Sequence, residues 1–288
     1  MPSHEACISP RMAMRQDNHK VPEPLLEALS RYVIPAIYKE AVHDGAQAHD
    51  ISANQSLSLA KASLSHDTQA CASMVLAWHQ LGIPVTQIFS KGVRDAAAHL
   101  GEWWLQDQIS FAEVTLAAER LQHLVLNSQG LFGKPLSAQQ QSNGYVVVLA
   151  KAVPCQHTLG VLVASEIFRQ QGWHVISPTG SDTSWMDTLA QSHVHLLGVS
   201  VAHSDQLSSA QTIIAACRRL SKNANLSVMV GGPYAMTCVD LAAKVGADFV
   251  AQDASEGELL ARHRVDALRR STSSNQALYE RPSMHKSD

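Results

Sequence analysis

The sequence predicts an α/β C-terminal domain, built on a doubly wound, five-stranded parallel sheet, preceded by an all-α four-helix bundle. Three observations predict this. From Pro22 to about Gly130, apolar residues recur at the three-and-four spacing of a helix face, and no run reads as a strand. Beyond residue 144, short uninterrupted apolar runs alternate with helical ones, the pattern of parallel strands covered on both faces. Between the two lies "GKPLSAQQQSNG", residues 133–144, polar and rich in Gln and Ser, which reads as a linker.

Residues 1–22 carry no periodic pattern and are expected to be a flexible tail. Four segments fill the bundle, residues 23–132. "PEPLLEALSRYVIPAIYKEAV" (22–42) is the first helix, interrupted by Pro35, and "HDTQACASMVLAWHQLG" (66–82) is the second, ended by Gly82. "PVTQIFSKGVRDAAAHLGEWWLQD" (84–107) opens on Pro84 as the third. "SFAEVTLAAERLQHLVLNS" (110–128) is the fourth, with Ser110 and Glu113 spaced as a capping box. The strands are "YVVVLA" (145–150), "WHVIS" (173–177), "HLLGVSV" (195–201), "LSVMVGG" (226–232) and "ADFVA" (247–251), with helices near 158–171 and 205–220. The α/β domain is expected over residues 145–263, and residues 264–288 read as a second flexible tail.

The chain has 288 residues, 45% of them hydrophobic and 16% charged, the balance of a compact soluble protein. A net charge of −3 gives no basic footprint, so direct binding to nucleic acid is not expected. No apolar run reaches the length that spans a bilayer, so no membrane partner is expected. The N-terminal residues lack the apolar core of a signal peptide. Five scattered cysteines without a Cys-x-x-Cys pair fit a reducing cytoplasm better than a disulfide framework or a structural zinc site.

In a doubly wound sheet, ligands sit outside the carboxyl ends of the strands, where the strand order reverses. His157 follows the first strand, Ser200 ends the third, and Gly231 and Gly232 end the fourth, so all reach that edge. Each also has a plainer role: His157 as a helix start, Ser200 as a partner for a neighbouring strand, Gly231-Gly232 before Pro233 as a turn. No Gly-x-Gly-x-x-Gly follows the first strand and no Gly-Lys-Ser/Thr loop is present, which argues against dinucleotide and phosphate-loop chemistry. No paired carboxylates or Ser-His-Asp layout points to independent catalysis, so the chain is not expected to be an enzyme.

Taken in order, "QHTLG" (156–160), "SVA" (200–202) and Gly231-Gly232 resemble the signature of the cobalamin-binding domain, which is Asp-x-His-x-x-Gly, Ser-x-Leu and Gly-Gly. The resemblance covers the whole C-terminal domain and implies a flavodoxin-like sheet. It implies that His157 is the lower ligand of cobalt, and that Thr158, Gly160, Ser200, Gly231 and Gly232 surround the nucleotide tail. Cys155 stands where the family has the aspartate that orients the histidine, and Ala202 where it has leucine. The loss of that relay argues against a methyl-transfer role. "LGEWWLQDQISFAEVTLAAERLQ" is similar to the helical cap of cobalamin photoreceptors, which implies that Trp103 lies over the upper face of the ring with Glu113 beside it. Val114 replaces the histidine of that motif. Trp103 and Trp104 also suit packing between helices, and Glu113 the capping box.

With no appended domain, the combination most resembles the AerR/PpaA class of antirepressors, relatives of the heme-binding sensor domains called SCHIC. The resemblance implies a cytoplasmic, light- or redox-responsive regulator of photosynthesis genes that binds cobalamin, in its hydroxo- or adenosyl- form. It also implies a protein partner, a PpsR/CrtJ-type transcriptional repressor. His123 and His203 are candidates for a second, displacing ligand. Two alternatives stay open: a corrinoid carrier of a methyltransferase system, and a sensor in which His157 binds heme iron.

Overall fold

The computed structural model describes residues 50–133, 142–154, 158–178 and 185–279. The helix expected at 22–42, the N-terminal tail, residues 280–288 and most of the linker lie outside those residues, as do Cys155, Gln156 and His157.

The first described helix, α1 (Ala53–Leu64), is one that the sequence reading lacks. Its segment alternates serine with leucine, and serine competes with helix formation by bonding nearby backbone. Here those hydroxyls donate back along the helix instead, Ser56 to Ala53 O and Ser63 to Ala60 O. Ser52 caps the start: its Oγ accepts the Gln55 amide, and its own amide donates to Gln55 Oε1 at 2.9 Å. Arg120 caps the other end, donating to the carbonyls of Ser63 and Ser65, both at 2.6 Å.

The remaining bundle helices agree with expectation. They are α2 (Ala70–Gln80), a third helix entered by a short turn at Val85–Gln87 and a π-helical stretch at Ile88–Val93 before α3 (Arg94–Leu105), and α4 (Phe111–Leu126). A short helix, α5 (Ser128–Phe132), closes the bundle.

Five parallel strands follow: β1 (Val146–Lys151), β2 (His174–Ile176), β3 (Leu196–Ser200), β4 (Ser227–Gly231) and β5 (Phe249–Val250). Their order, β2-β1-β3-β4-β5, is the flavodoxin-like one. The chain passes from β1 outward to β2 through α6 (Leu159–Gln170), then returns through α7 (Met186–Gln191) to β3 on the other side of β1. The reversal therefore falls between β1 and β3. Two longer helices, α8 (Leu207–Leu220) and α10 (Ala254–Tyr279), cover opposite faces, and the short α9 (Leu241–Val245) leads into β5.

Helix α6 belongs to two cores. Val163 and Ile167 pack with Phe89, Leu100 and Leu121 of the bundle, while Val161 and Phe168 pack with Val147, Leu149 and Leu196 of the sheet. The bundle thus rests on the first crossover helix.

The expected tail from residue 264 is corrected: α10 continues to Tyr279. Val265 is buried against Tyr145 and Trp173, the Tyr145 hydroxyl bonds Asp266, and Trp173 Nε1 donates to Glu258 Oε1 at 2.7 Å. Ala261 and Val265 are small apolar steps in a polar run, and their burial is what keeps the helix going.

His195 enters β3 half-buried. Its Nδ1 accepts the Val146 amide at 3.1 Å, so the ring is neutral and carries its proton on Nε2. Burial, then the neighbouring His193 and Arg269, lower its pKa from the ordinary 6.5 to about 4. The unfolded chain takes up this proton near pH 6.5 and the folded chain does so only near 4, so stability falls as pH drops through that window. Urea unfolding at pH 7 and pH 4.5 should show a His195 contribution of about 1 kcal/mol, a figure discounted for the half-exposed ring. An H195N variant should lose that part of the pH dependence.

Candidate functional site

The carboxyl ends of β1 and β3 flank the point of reversal, the edge at which a doubly wound sheet takes its ligand. Its floor is the register Lys151–Ser200–Gly231, three adjacent strand ends in line. The Ala152 amide donates to Ser200 O at 2.9 Å, which carries the β1–β3 pairing one residue past the strand.

Gln206 ties the two walls together. It is buried; its Oε1 accepts the Ala202 amide at 2.7 Å, and its Nε2 donates to Pro154 O at 2.8 Å. One amide side chain thereby joins the loop after β3 to the loop after β1. Sequence reasoning missed it, because a lone glutamine at the start of an amphipathic helix carries no signal of burial.

Ser200, Gly231 and Gly232 are brought together as expected. The glycine pair stands where the neighbouring strands leave no room for a side chain. Gly232 has φ +99°, and a Cβ there would stand 2.6 Å from Val201 O and 2.8 Å from Ser200 Oγ. A Cβ on Gly231 would lie 3.2 Å from Ala251 O. The pair lets the end of β4 close onto its two neighbours, with Val201 N donating to Gly231 O and Tyr234 N to Val201 O.

At the first turn of α6, the Thr158 hydroxyl donates to Gln122 Oε1 of α4 at 2.9 Å. The residue next to His157 is therefore pinned to the bundle. Gly160, two residues on, is exposed, and the space beyond it is open. Around the crevice loops, Val153, Met236 and Val239 stand exposed, Val239 at 87%. Apolar groups left at the rim of a polar crevice suit a large ring with apolar edges.

The bundle candidates are engaged at home. Trp103 packs against the bundle core and stacks on His99, with ring centroids 6.1 Å apart. Glu113 Oε2 accepts the Ser110 amide and hydroxyl, both at 2.7 Å, and those bonds hold its carboxyl below the ordinary range. Trp104 is 45% exposed. Of the displacing-ligand candidates, His123 is exposed on α4 with Glu119 Oε1 at 4.0 Å, and His203 lies in the loop after β3. The Lys244 ammonium donates to Cys238 Sγ at 3.3 Å in the loop beyond the glycines.

Residues 145–261 match the B12 binding domain family. The chain is 29% identical, over 176 residues, to an uncharacterized 20.5 kDa protein in the bchF-crtJ intergenic region of Rhodobacter capsulatus, covering 60% of this chain and 89% of that one. Its fold resembles a monomethylamine corrinoid protein of Methanosarcina barkeri, with TM-score 0.56 and 14% identity, over 73% of this chain and 96% of that one. A cobalamin-binding protein of Desulfitobacterium hafniense overlaps 74% of this chain and 98% of its own at 17% identity, with TM-score 0.38.

The close approach at Gly232 sets a testable contrast with Gly160. By urea denaturation, G232A should lose about 2–3 kcal/mol of stability, from the disfavoured backbone and the contact with Val201. G160A, with open space at a helical position, should be neutral or gain a fraction of a kcal/mol.

Proposed function

We propose, from the premise that residues 145–261 belong to the B12 binding domain family, that the chain is a cobalamin-binding regulator that acts through a protein partner. The observation that carries this reading is a crevice of that family's kind, floored by Ser200 and Gly231 and joined to a helical bundle at the residue after His157.

In this reading His157 would supply the imidazole that holds cobalt, a bond type well suited to that metal. Ser200 offers a hydroxyl to the nucleotide tail, and Gly160 leaves the first turn of α6 open to it. Val153, Met236 and Val239, exposed on the loops after β1 and β4, would meet the apolar edge of the ring. Trp103 and Glu113 face the upper side from the bundle. Hydroxo- or adenosylcobalamin held here by His157, Ser200 and Gly160 would supply chemistry at cobalt that responds to light or to oxygen. The Thr158–Gln122 bond then passes a shift of the His157 loop to α4, and the two arrangements of bundle and sheet differ in affinity for the partner.

The partner in this reading is a transcriptional repressor of the PpsR/CrtJ kind, and the chain relieves its action on photosynthesis genes. The relative in the bchF-crtJ intergenic region supports that reading by its location. A cofactor-binding module needs no catalytic constellation of its own, in keeping with a regulator. The likeness to a corrinoid protein supports the fold, while Cys155 in place of the orienting aspartate weighs against a methyl carrier.

The test is to load the protein with hydroxocobalamin, pass it through gel filtration and record its absorption in the dark and after illumination. The wild type should retain a corrin spectrum, and H157A should retain at least about tenfold less. Equal retention with an unchanged spectrum in H157A would overturn the ligand role, and a heme spectrum in the protein purified from cells would replace cobalamin with heme.

A further inference from the structure

Between the end of each strand and the next α-helix run residues 151–158, 177–185, 200–206, 231–240 and 251–253, the segments at the ligand edge of the sheet. They contain the carboxylates of Asp182, Asp205, Asp240 and Asp253, but a single Lys or Arg, Lys151. It is the last residue of β1 and is half-buried. Among the described residues, its ammonium has no ion-pair or hydrogen-bond partner. A cation withdrawn in part from water with no carboxylate beside it is left uncompensated by the protein itself.

The pleat fixes which face Lys151 stands on. Side chains alternate between the two faces along a strand, and partners in parallel register share a face. Val147 and Leu149 pack with Val161 of α6 and Ala261 of α10, whereas Val148 packs with Ala210 and Ile213 of α8 on the other side. Lys151, two residues after Leu149, therefore stands on the α6–α10 face. Its register partner Ser200 and, beyond it, Gly231 share that face, as the packing of Leu196 and Met229 shows. Helix α6 begins here with no acidic residue in its first turn and no side-chain cap, because the Thr158 hydroxyl is turned to Gln122. The acids at the start of α10 are engaged. Asp253 Oδ1 accepts the Ser255 and Glu256 amides at 2.8 and 2.9 Å, and Glu256 Oε2 accepts the Gln252 amide at 2.8 Å.

We propose that Lys151 binds the phosphodiester of the cofactor's nucleotide tail and is a specificity-determining residue of the site, selecting complete corrinoids over those without the tail. The proposal rests on the cobalamin reading and adds to it the recognition of charge. The phosphodiester is the anionic group of that tail. Ser200 and Gly231, which that reading gives to the tail, share a face and a register line with Lys151. Elsewhere along the edge the aspartates repel an anion, so the lysine is the position at which a phosphate is favoured. Thr158, Ser200 and the glycines are neutral, and without Lys151 they would leave a phosphate drawn from water with no counter-charge. An ammonium acts on phosphate as a point charge and needs no fixed fork, which suits a flexible side chain at a strand end.

The test is equilibrium dialysis of the full-length protein as wild type, K151M and K151R. The probes are cobalamin and cobinamide, which lacks both phosphodiester and base, at about 50 mM and about 300 mM potassium chloride. K151M keeps the length of the side chain and removes its charge. At low salt it should bind cobalamin about tenfold more weakly than the wild type and cobinamide equally well, with K151R restoring most of the loss. The wild type's preference for cobalamin over cobinamide should shrink at high salt, and that of K151M should not. Unchanged cobalamin binding in K151M, an equal loss of cobinamide binding, or a wild-type preference indifferent to salt would each overturn the proposal. Those outcomes leave the cobalamin reading standing, because the wild type still binds. A wild type that holds no cobalamin would overturn that reading and the proposal with it.

Discussion

The reversal of strand order between β1 and β3 is the constraint on which the rest depends. Two parallel strands whose following segments leave toward opposite sides of a sheet cannot close over their shared carboxyl edge. A crevice results from topology before any side chain is chosen. What the sequence adds is a way to hold that opening in shape: Gln206 spans its two loops, and the glycine pair brings the end of β4 against β3 with no side chain between. Ser200 is positioned by the same backbone, between Lys151 and Gly231.

Helix α6 makes the two domains one mechanical object. It starts at the crevice, buries one side against the sheet and gives Val163 and Ile167 to the bundle core. Burying an aliphatic side chain of this kind is worth about 1.5–3 kcal/mol, so the junction is a packed interface rather than a loose tether. The Thr158–Gln122 bond lies at the start of this helix, where a displacement at the crevice would first reach the bundle. A shift of α6 between its two cores would reach both domains without a hinge between them.

Much of this was legible in the sequence, for identifiable reasons. Buried parallel strands are continuous apolar runs, and all five appear where "YVVVLA", "WHVIS", "HLLGVSV", "LSVMVGG" and "ADFVA" place them. The capping box at Ser110 and Glu113 is a local pattern, and it forms as spaced. Tertiary burial of polar segments was not legible. Helix α1 hides in a serine-leucine alternation, because its buried Ser56 and Ser63 satisfy themselves within the helix. The outer half of α10 reads as a tail, since only the packed structure shows Val265 against Trp173 and Asp266 on Tyr145. Gln206 is the same lesson at the site: its role depends on two loops that are distant in sequence.

The most direct measurement of the central claim compares cobalamin with cobinamide, a corrinoid that lacks the nucleotide tail, by equilibrium dialysis against the wild-type protein. If the crevice between β1 and β3 grips that tail, cobinamide should bind at least about tenfold more weakly. Equal affinity for the two would mean that the strand ends play no part in holding the tail, and would contradict the account.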